Sequence, residues 1–423
     1  MKHLIFIDAN NAAIQAMDEA LQRGYKVTFF RQNNVYFYQN NDYTQSVLRR
    51  IHTIVDMKNG TDVSEVEYLL NSILRQETID GVIAPNEPSL EAVAEACKRY
   101  DIPFSNPQGV KNARNKHKAR ATLEEHHVPT IRSWIANTLD EAKTIFEQNN
   151  PPFIFKPVSG FDSLLAVKVS TQEEVSKAAM NILNTSEKIA LPYTEIFSRG
   201  ILIEEFLSGK LISAEVGIYK DMFFPFMISG RSQSRFNECI ELGSLMPADL
   251  SNDEKNKCFT YARDVCQALG LDHGIYHIEL MYTKTGPILV EANPRLMGGV
   301  MPEIYHQSTG ESIYPSLFTI ATCSDTPIKL PSAYRAVTVR KIMPLENGII
   351  ADELFIDDIK NNKNLVNFYT DKIEPSRQVY ENEVLGRIMV AHDDLYNANL
   401  IADEILLELE CRIGIKLHQP LYR

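Results

Sequence analysis

The chain opens with short apolar runs that alternate with stretches of helical periodicity. Leu4–Ile7 is a compact apolar run, Ile14–Leu21 has helical spacing, and Gly24 separates it from a second run, Val27–Phe30. This order predicts strand, helix, strand. Val63, Val66, Leu69, Leu70, Ile73 and Leu74 share one helical stripe, which leads into the short apolar run Gly81–Ala84. A stripe of this kind is the buried face of an amphipathic helix. Alternating strands and helices predict an α/β unit with a parallel, doubly wound sheet over residues 1–105. Pro103-Phe104-Ser105-Asn106-Pro107 then breaks the pattern with two prolines and marks the exit from that unit.

A helix is predicted from about Val110 to His126, stopping at Val128-Pro129. Strand-like runs follow at Phe153–Lys156, Leu164–Val169, Ile201–Glu204, Met222–Ile228, Gly274–Tyr282 and Ile288–Asn293, with a helix at Asp253–Leu269. Residues 106–330 therefore read as an α+β unit. A third, smaller α+β segment, 331–423, has predicted strands at Ala336–Ile342 and Gly386–Val390 and a last helix at Ala398–Arg412. Internal repeats and low-complexity linkers are absent from the sequence.

Composition narrows the function classes. With 44% hydrophobic and 23% charged residues, the 423-residue chain reads as globular and neither disordered nor fibrous. A formal net charge of -12 opposes attraction to a phosphate backbone, so nucleic acid is not expected as a partner. The single basic stretch, Lys111 to Arg120, is short. Six cysteines lie far apart with no Cys-x-x-Cys pair, as expected for reduced thiols outside a zinc site or disulfide scaffold. No apolar stretch reaches the roughly 18 residues of a membrane span, and the N-terminal run is too short for a signal peptide. The expected compartment is the cytoplasm, with no membrane partner. Asp8-Ala9-Asn10-Asn11-Ala12 stands where a dinucleotide-binding Gly-x-Gly-x-x-Gly would fall, so that ligand is not supported.

The most informative stretch is Gly274–Tyr282, a turn at Thr283–Pro287, and Ile288–Gly299. Two strands around a Gly-containing turn predict a hairpin. A five-residue turn sets Glu279 opposite Glu291, and the period of two puts Asn293 on the same face as Glu291. Facing carboxylates repel, so their coexistence calls for a compensating charge. An all-oxygen set suits Mg²⁺, with Mn²⁺ as the alternative, bridging to phosphate.

Glu279, followed by Glu291-x-Asn293-x-Arg295-x-x-Gly298-Gly299, resembles the metal-binding signature of the ATP-grasp superfamily. The resemblance extends over essentially the whole chain. It implies an ATP-grasp fold in residues 106–330, with two subdomains clamping ATP and a lid at about 130–200. Lys116 matches the family lysine that begins a helix ahead of a Gly-Val-Pro-like turn, with His127 in the glycine place. Lys156 matches the second phosphate lysine, and Ser159 and Gly160 the loop over the phosphates. Glu204-Glu205-Phe206-Leu207-Ser208-Gly209 matches the adenine hinge. The loop has one glycine where several are common. Leu211 stands where an acidic ribose ligand is common, which leaves Glu215 as the nearest acidic substitute.

Within the superfamily the chain resembles the dipeptide-forming bacterial L-amino-acid ligases. That likeness implies a substrate strand containing Glu241, which would contact an amino group, and Ser244 where a histidine is common. The function implied is an ATP- and Mg²⁺-dependent ligase that forms an amide, between two amino acids, through an acyl phosphate with release of ADP and phosphate. Glu279, Glu291 and Asn293 would hold metal; Lys116, Lys156 and Arg295 would hold phosphate. Arg295 and the backbone at Gly298 and Gly299 would receive the oxyanion and meet the substrate. The alternatives are a ligase acting on a non-amino-acid carboxylate, an ATP-grasp carboxylase, and a non-catalytic ATP-binding protein. The partners expected are small molecules, and a homodimer stays open.

Overall fold

The structure is a computed structural model, and it describes residues 1–33, 37–158, 165–185, 200–370 and 372–421. The first unit is a four-stranded parallel sheet of β1 (His3–Ile7), β2 (Lys26–Gln32), β3 (Thr53–Met57) and β4 (Gly81–Ile83), in the order β3-β2-β1-β4. Strand periodicity sends Leu4 and Phe6 to one face and Ile5 and Ile7 to the other. Leu4 and Phe6 pack with Ala13, Ala16 and Met17 of helix Asn11–Gln22. Ile5 and Ile7 pack with Val66, Leu70 and Val93 of helices Val63–Leu74 and Leu90–Arg99. Both faces are covered, so the expected doubly wound sheet is present. The sequence pattern gave no sign of β3 or of the helix Asp42–Leu48.

A second, antiparallel sheet takes β5 (Ser133–Ala136), β6 (Phe153–Pro157), β7 (Val167–Val169) and β8 (Ile201–Glu205), in the order β5-β8-β6-β7. It closes its own small core around Phe153, Phe155, Ile201 and Ile203. Next in the chain come β9 (Lys210–Tyr219), β10 (Met222–Gln233), β11 (Glu241–Met246), β12 (Gly274–Thr283) and β13 (Gly286–Asn293). The C-terminal segment adds β14 (Ala336–Ile342), β15 (Gly348–Ile349), β16 (Leu365–Tyr369), β17 (Gln378–Val379) and β18 (Gly386–His392). β15 and β17 form a ribbon of their own. The remaining strands join one eight-stranded sheet in the order β13-β12-β9-β10-β11-β14-β18-β16. The C-terminal segment thus extends the central sheet rather than folding around a sheet of its own.

The single helix expected from Val110 to His126 is two helices, Pro107–Arg114 and Lys116–Glu125. Asn115 breaks them, because its side chain accepts the Lys118 N–H at 2.9 Å and caps the second helix. The break puts Lys116 in the first turn. His127, just past the second helix, has φ +58°, the left-handed backbone for which glycine is usual. No helix among the described residues is long and apolar enough to cross a membrane.

Asp8, at the end of β1, is buried and has φ +63°. Burial pushes its carboxyl up to about 6, against the Ala9 N–H that favours the anion. A raised acid is protonated more readily in the folded chain. Its stabilisation is therefore present below the unfolded value near 4 and is lost as pH rises through about 6. Asp8→Asn removes the ionisation and tolerates positive φ. It is expected to raise stability at pH 8 on the order of 3 kcal/mol, with the advantage gone at pH 4. Melting curves of both proteins across that range check it.

Candidate active site

The β12–β13 hairpin has a two-residue turn, Lys284-Thr285, between the paired Thr283 and Gly286, not the five-residue turn expected. Leu280 faces Leu289, yet Glu279 faces Glu291, so Val290 is an extra residue in β13. This bulge compensates for the shorter turn and restores the expected register. His277 faces Asn293 on the same side of the sheet.

Two carboxylates facing each other across strands need cations. Lys116 Nζ lies 2.6 Å from Glu291 Oε1, and His277 Nε2 lies 3.2 Å from Glu279 Oε1. Burial alone would raise the Glu279 carboxyl; His277, Arg231 and Arg295 outweigh it and hold it down at about 2. Burial would likewise lower His277, but Glu215 and Glu279 lift it to about 9, so its ring is charged at neutral pH. Among the described residues no cluster of three or more His, Cys, Asp or Glu could hold a metal ion. The expected set contains only two such residues plus the buried Asn293 amide. Two anionic carboxylates and an amide oxygen on one face fit a hard cation that takes its remaining ligands from phosphate.

The two expected phosphate lysines converge on this face. Lys156 of β6 pairs with Glu204 Oε2 at 2.5 Å, and Arg120 reaches the other oxygen of Glu204 at 3.1 Å. Burial lowers the Lys156 ammonium despite Glu204, with Arg120 and Lys116 adding repulsion. Lys116 shifts the other way: Glu291 and Glu87 overcome the effect of burial and raise it. Glu204 is therefore a buried clamp on Lys156, not a free acceptor. Its neighbour Glu205 points to the opposite side and pairs with Arg132, whose Nε is 2.7 Å away. The Phe206 N–H donates to Pro152 O at 3.1 Å, and Lys168 Nζ sits 3.9 Å from the Phe206 ring centroid. Phe206 and Leu207 lie between β8 and β9, where the second and central sheets join. Ser159 and Gly160 lie outside the described residues.

Glu215 does not sit as a ribose ligand would. Its carboxylate is fully buried, accepting from Ser213 Oγ at 2.7 Å and Ser229 Oγ at 3.1 Å and pairing with His277 Nδ1 at 2.9 Å. Its role is to hold His277, which in turn touches Glu279.

At the other end of the face, Arg231 Nε is 3.2 Å and Lys341 Nζ 3.9 Å from Glu241. Ser244 is buried opposite Arg231 in the β10–β11 pairing. Arg231 also contacts His277 Nε2 at 3.2 Å and Ser213 Oγ at 3.0 Å, linking the Glu241 end to the carboxylate pair. Arg295 forms an ion pair with Glu87 from the first unit and donates to Leu296 O at 3.0 Å. A Cβ on Gly298 would come within 3.4 Å of Arg295 Nη1, and Gly299 takes φ +59°. Sequence reasoning missed Glu87, Arg120, Arg231 and His277. His277 carried a local signal, two positions before Glu279 and hence on its face, and so did Arg120, one helical turn after Lys116.

An ATP-grasp domain profile matches residues 149–303. The chain is similar to ATP-grasp domains over this stretch, which holds Lys156, Glu204–Gly209 and both strands of the carboxylate hairpin. It is similar to alanine–anticapsin ligase of Bacillus amyloliquefaciens, 29% identical over 243 residues that cover 53% of this chain and 50% of that protein. It is also similar to dapdiamide A synthase of Enterobacter agglomerans, 26% identical over 253 residues, 58% of this chain and 57% of that protein. The chain spans about half the length of the curated alanine–anticapsin ligases it matches. Among solved structures, L-amino acid ligase from Bacillus licheniformis superposes with a TM-score of 0.80 at 20% identity, covering 100% of this chain and 99% of that one. That superposition shows a shared fold from end to end.

Proposed function

We propose that this chain is an ATP-dependent carboxylate–amine ligase that joins two amino acids and releases ADP and phosphate. One observation carries the reading: Glu279 and Glu291 face each other on a sheet surface where Lys116, Lys156 and Arg295 also converge. A carboxylate has no leaving group, and phosphorylation supplies one. A substrate carboxylate oxygen attacks the γ-phosphorus of ATP, and ADP leaves. The amine nitrogen then attacks the acyl carbon, loses a proton, and phosphate departs with the amide formed.

Glu279, Glu291 and Asn293 would hold Mg²⁺, whose contribution when bound is to neutralise charge on the phosphates. Lys116 and Lys156 give up Glu291 and Glu204 in part to bind phosphate oxygens, which leaves the ligand charge compensated in a buried site. The hinge Glu204–Leu207 borders the adenine; Ser159 and Gly160, which match the family's phosphate loop in sequence, lie outside the described residues. Arg295 and the backbone at Gly298 and Gly299 donate to the oxyanion formed as the amine attacks. Glu241, held by Arg231 and Lys341, faces the amino group of one substrate, with Ser244 beside it. The second sheet acts as a lid that keeps water from the acyl phosphate.

Incubation with ATP, Mg²⁺ and a panel of single amino acids and pairs tests this. Phosphate and ADP are expected to appear with a product of the mass of a dipeptide. Stoichiometric AMP and pyrophosphate, or no dependence on any amino acid, would overturn the reading.

A further inference from the structure

The position of Glu291 depends on the bulge in β13. With the observed two-residue turn and no bulge, Glu279 would face Val290, and Glu291 would point to the opposite side of the sheet. β13 is the edge of the central sheet and its ladder is disturbed at the bulge, so buried backbone groups here need partners from outside the sheet. Here buried side chains from two helices supply them. The Leu289 N–H donates to the Tyr261 hydroxyl at 2.9 Å, and that hydroxyl donates to Pro129 O at 2.6 Å. Arg120 Nη2 donates to the Val290 carbonyl at 2.6 Å. Arg120 and Tyr261 are 3% and 7% exposed.

Arg120 does a second thing. Its Nε donates to Glu204 Oε1 at 3.1 Å, and Glu204 holds Lys156. Lys116 lies one helical turn before Arg120, so one helix face contacts β13 at adjacent residues: Lys116 at Glu291, Arg120 at Val290.

We propose that Arg120 and Tyr261 are positioning residues that hold the β13 bulge, and with it Glu291 opposite Glu279. Through Glu204, Arg120 also fixes Lys156, so the carboxylate pair and a phosphate lysine share one support. The proposal rests on the ATP and Mg²⁺ reading above. Neither side chain touches substrate: both act through the backbone of β13, and Arg120 also through Glu204.

ATP binding by calorimetry, titrated across Mg²⁺ concentrations, tests it on the wild type, Arg120→Gln, Arg120→Lys and Tyr261→Phe, with a melting curve for each. Tyr261→Phe is expected to raise the half-saturating Mg²⁺ concentration several-fold and to leave Mg²⁺-free ATP affinity alone. Arg120→Gln is expected to raise it at least about 10-fold, the range for residues that support metal ligands, and also to weaken Mg²⁺-free ATP binding. Arg120→Lys keeps a charge for Glu204 but cannot serve both partners, and falls between. A merely structural role lowers the melting temperature while the folded protein keeps the wild-type Mg²⁺ dependence, and that result overturns the proposal. If Arg120→Gln does not fold, Tyr261→Phe decides: an unchanged Mg²⁺ dependence is again contrary. A wild type that binds no ATP at all refutes the functional reading instead.

Discussion

Glu291→Ala is expected to reduce turnover by about 1,000-fold or more, since metal-assisted charge stabilisation is worth several kcal/mol. Two losses combine. One carboxylate of the facing pair disappears, and with it a residue that would hold the cation and its charge-neutralising chemistry at the phosphates. Lys116, largely but not fully buried and 2.6 Å from Glu291, also loses its direct partner. Glu87 and Glu204 remain close enough to act on Lys116, and the repulsion from Glu279 is relieved. The folded state should therefore survive, with a circular dichroism spectrum like that of the parent. Steady-state phosphate release on the purified variant, beside its melting curve, gives the answer. Near-normal turnover would mean that the metal site lies elsewhere.

Arg295→Lys is the second large effect, an expected fall in rate of at least about 100-fold, the scale of one lost oxyanion donor. Lysine keeps the charge and can keep Glu87, but it lacks the planar fork of donors that can bind two oxygens at once. The structure supplies a sharp rival: Arg295 bridges the hairpin end to the first unit through Glu87 and Leu296. If that bridge were its whole purpose, Glu87→Gln and Arg295→Lys would both lower the melting temperature, and turnover per folded molecule would stay normal. The catalytic assignment instead requires ATP affinity within a few-fold of the parent, an unchanged melting temperature and a slow chemical step. Isothermal titration with ATP alongside single-turnover kinetics separates the two.

What the sequence revealed was local. The expected five-residue turn placed Glu279 opposite Glu291, and the structure reaches the same pairing by a two-residue turn and a bulge, neither of which was visible in the sequence. A bulge is set by side chains that satisfy its backbone, and Arg120 lies 170 residues from Val290. Glu204–Gly209 stood out as a motif, whereas the pairing of Glu204 depends on Arg120, 84 residues away. Glu215 was chosen as the nearest acid to the hinge. Strand pairing instead sets it against His277, and chain proximity carries no information about that neighbour. Asn115 had the side chain of a helix cap, but the helix-favouring Lys, Arg and Ala residues on either side continued a helical pattern across it, so one helix was read where there are two. Two of the five C-terminal strands, β14 and β18, were placed almost to the residue, and β15, β16 and β17 were missed. Membership of the central sheet was not legible, since the pairing of β11 with β14 joins segments about ninety residues apart.

The central claim is that a substrate carboxylate is activated by phosphorylation. Its most direct test is oxygen transfer. The donor amino acid, identified from the panel, is labelled with ¹⁸O in both carboxylate oxygens and turned over with unlabelled ATP, and the released phosphate is analysed by ³¹P NMR or mass spectrometry. An acyl phosphate leaves one ¹⁸O in each phosphate, because the P–O bond formed in activation is kept when the amine displaces phosphate from carbon. Phosphate free of ¹⁸O, or label found in AMP, would contradict the account.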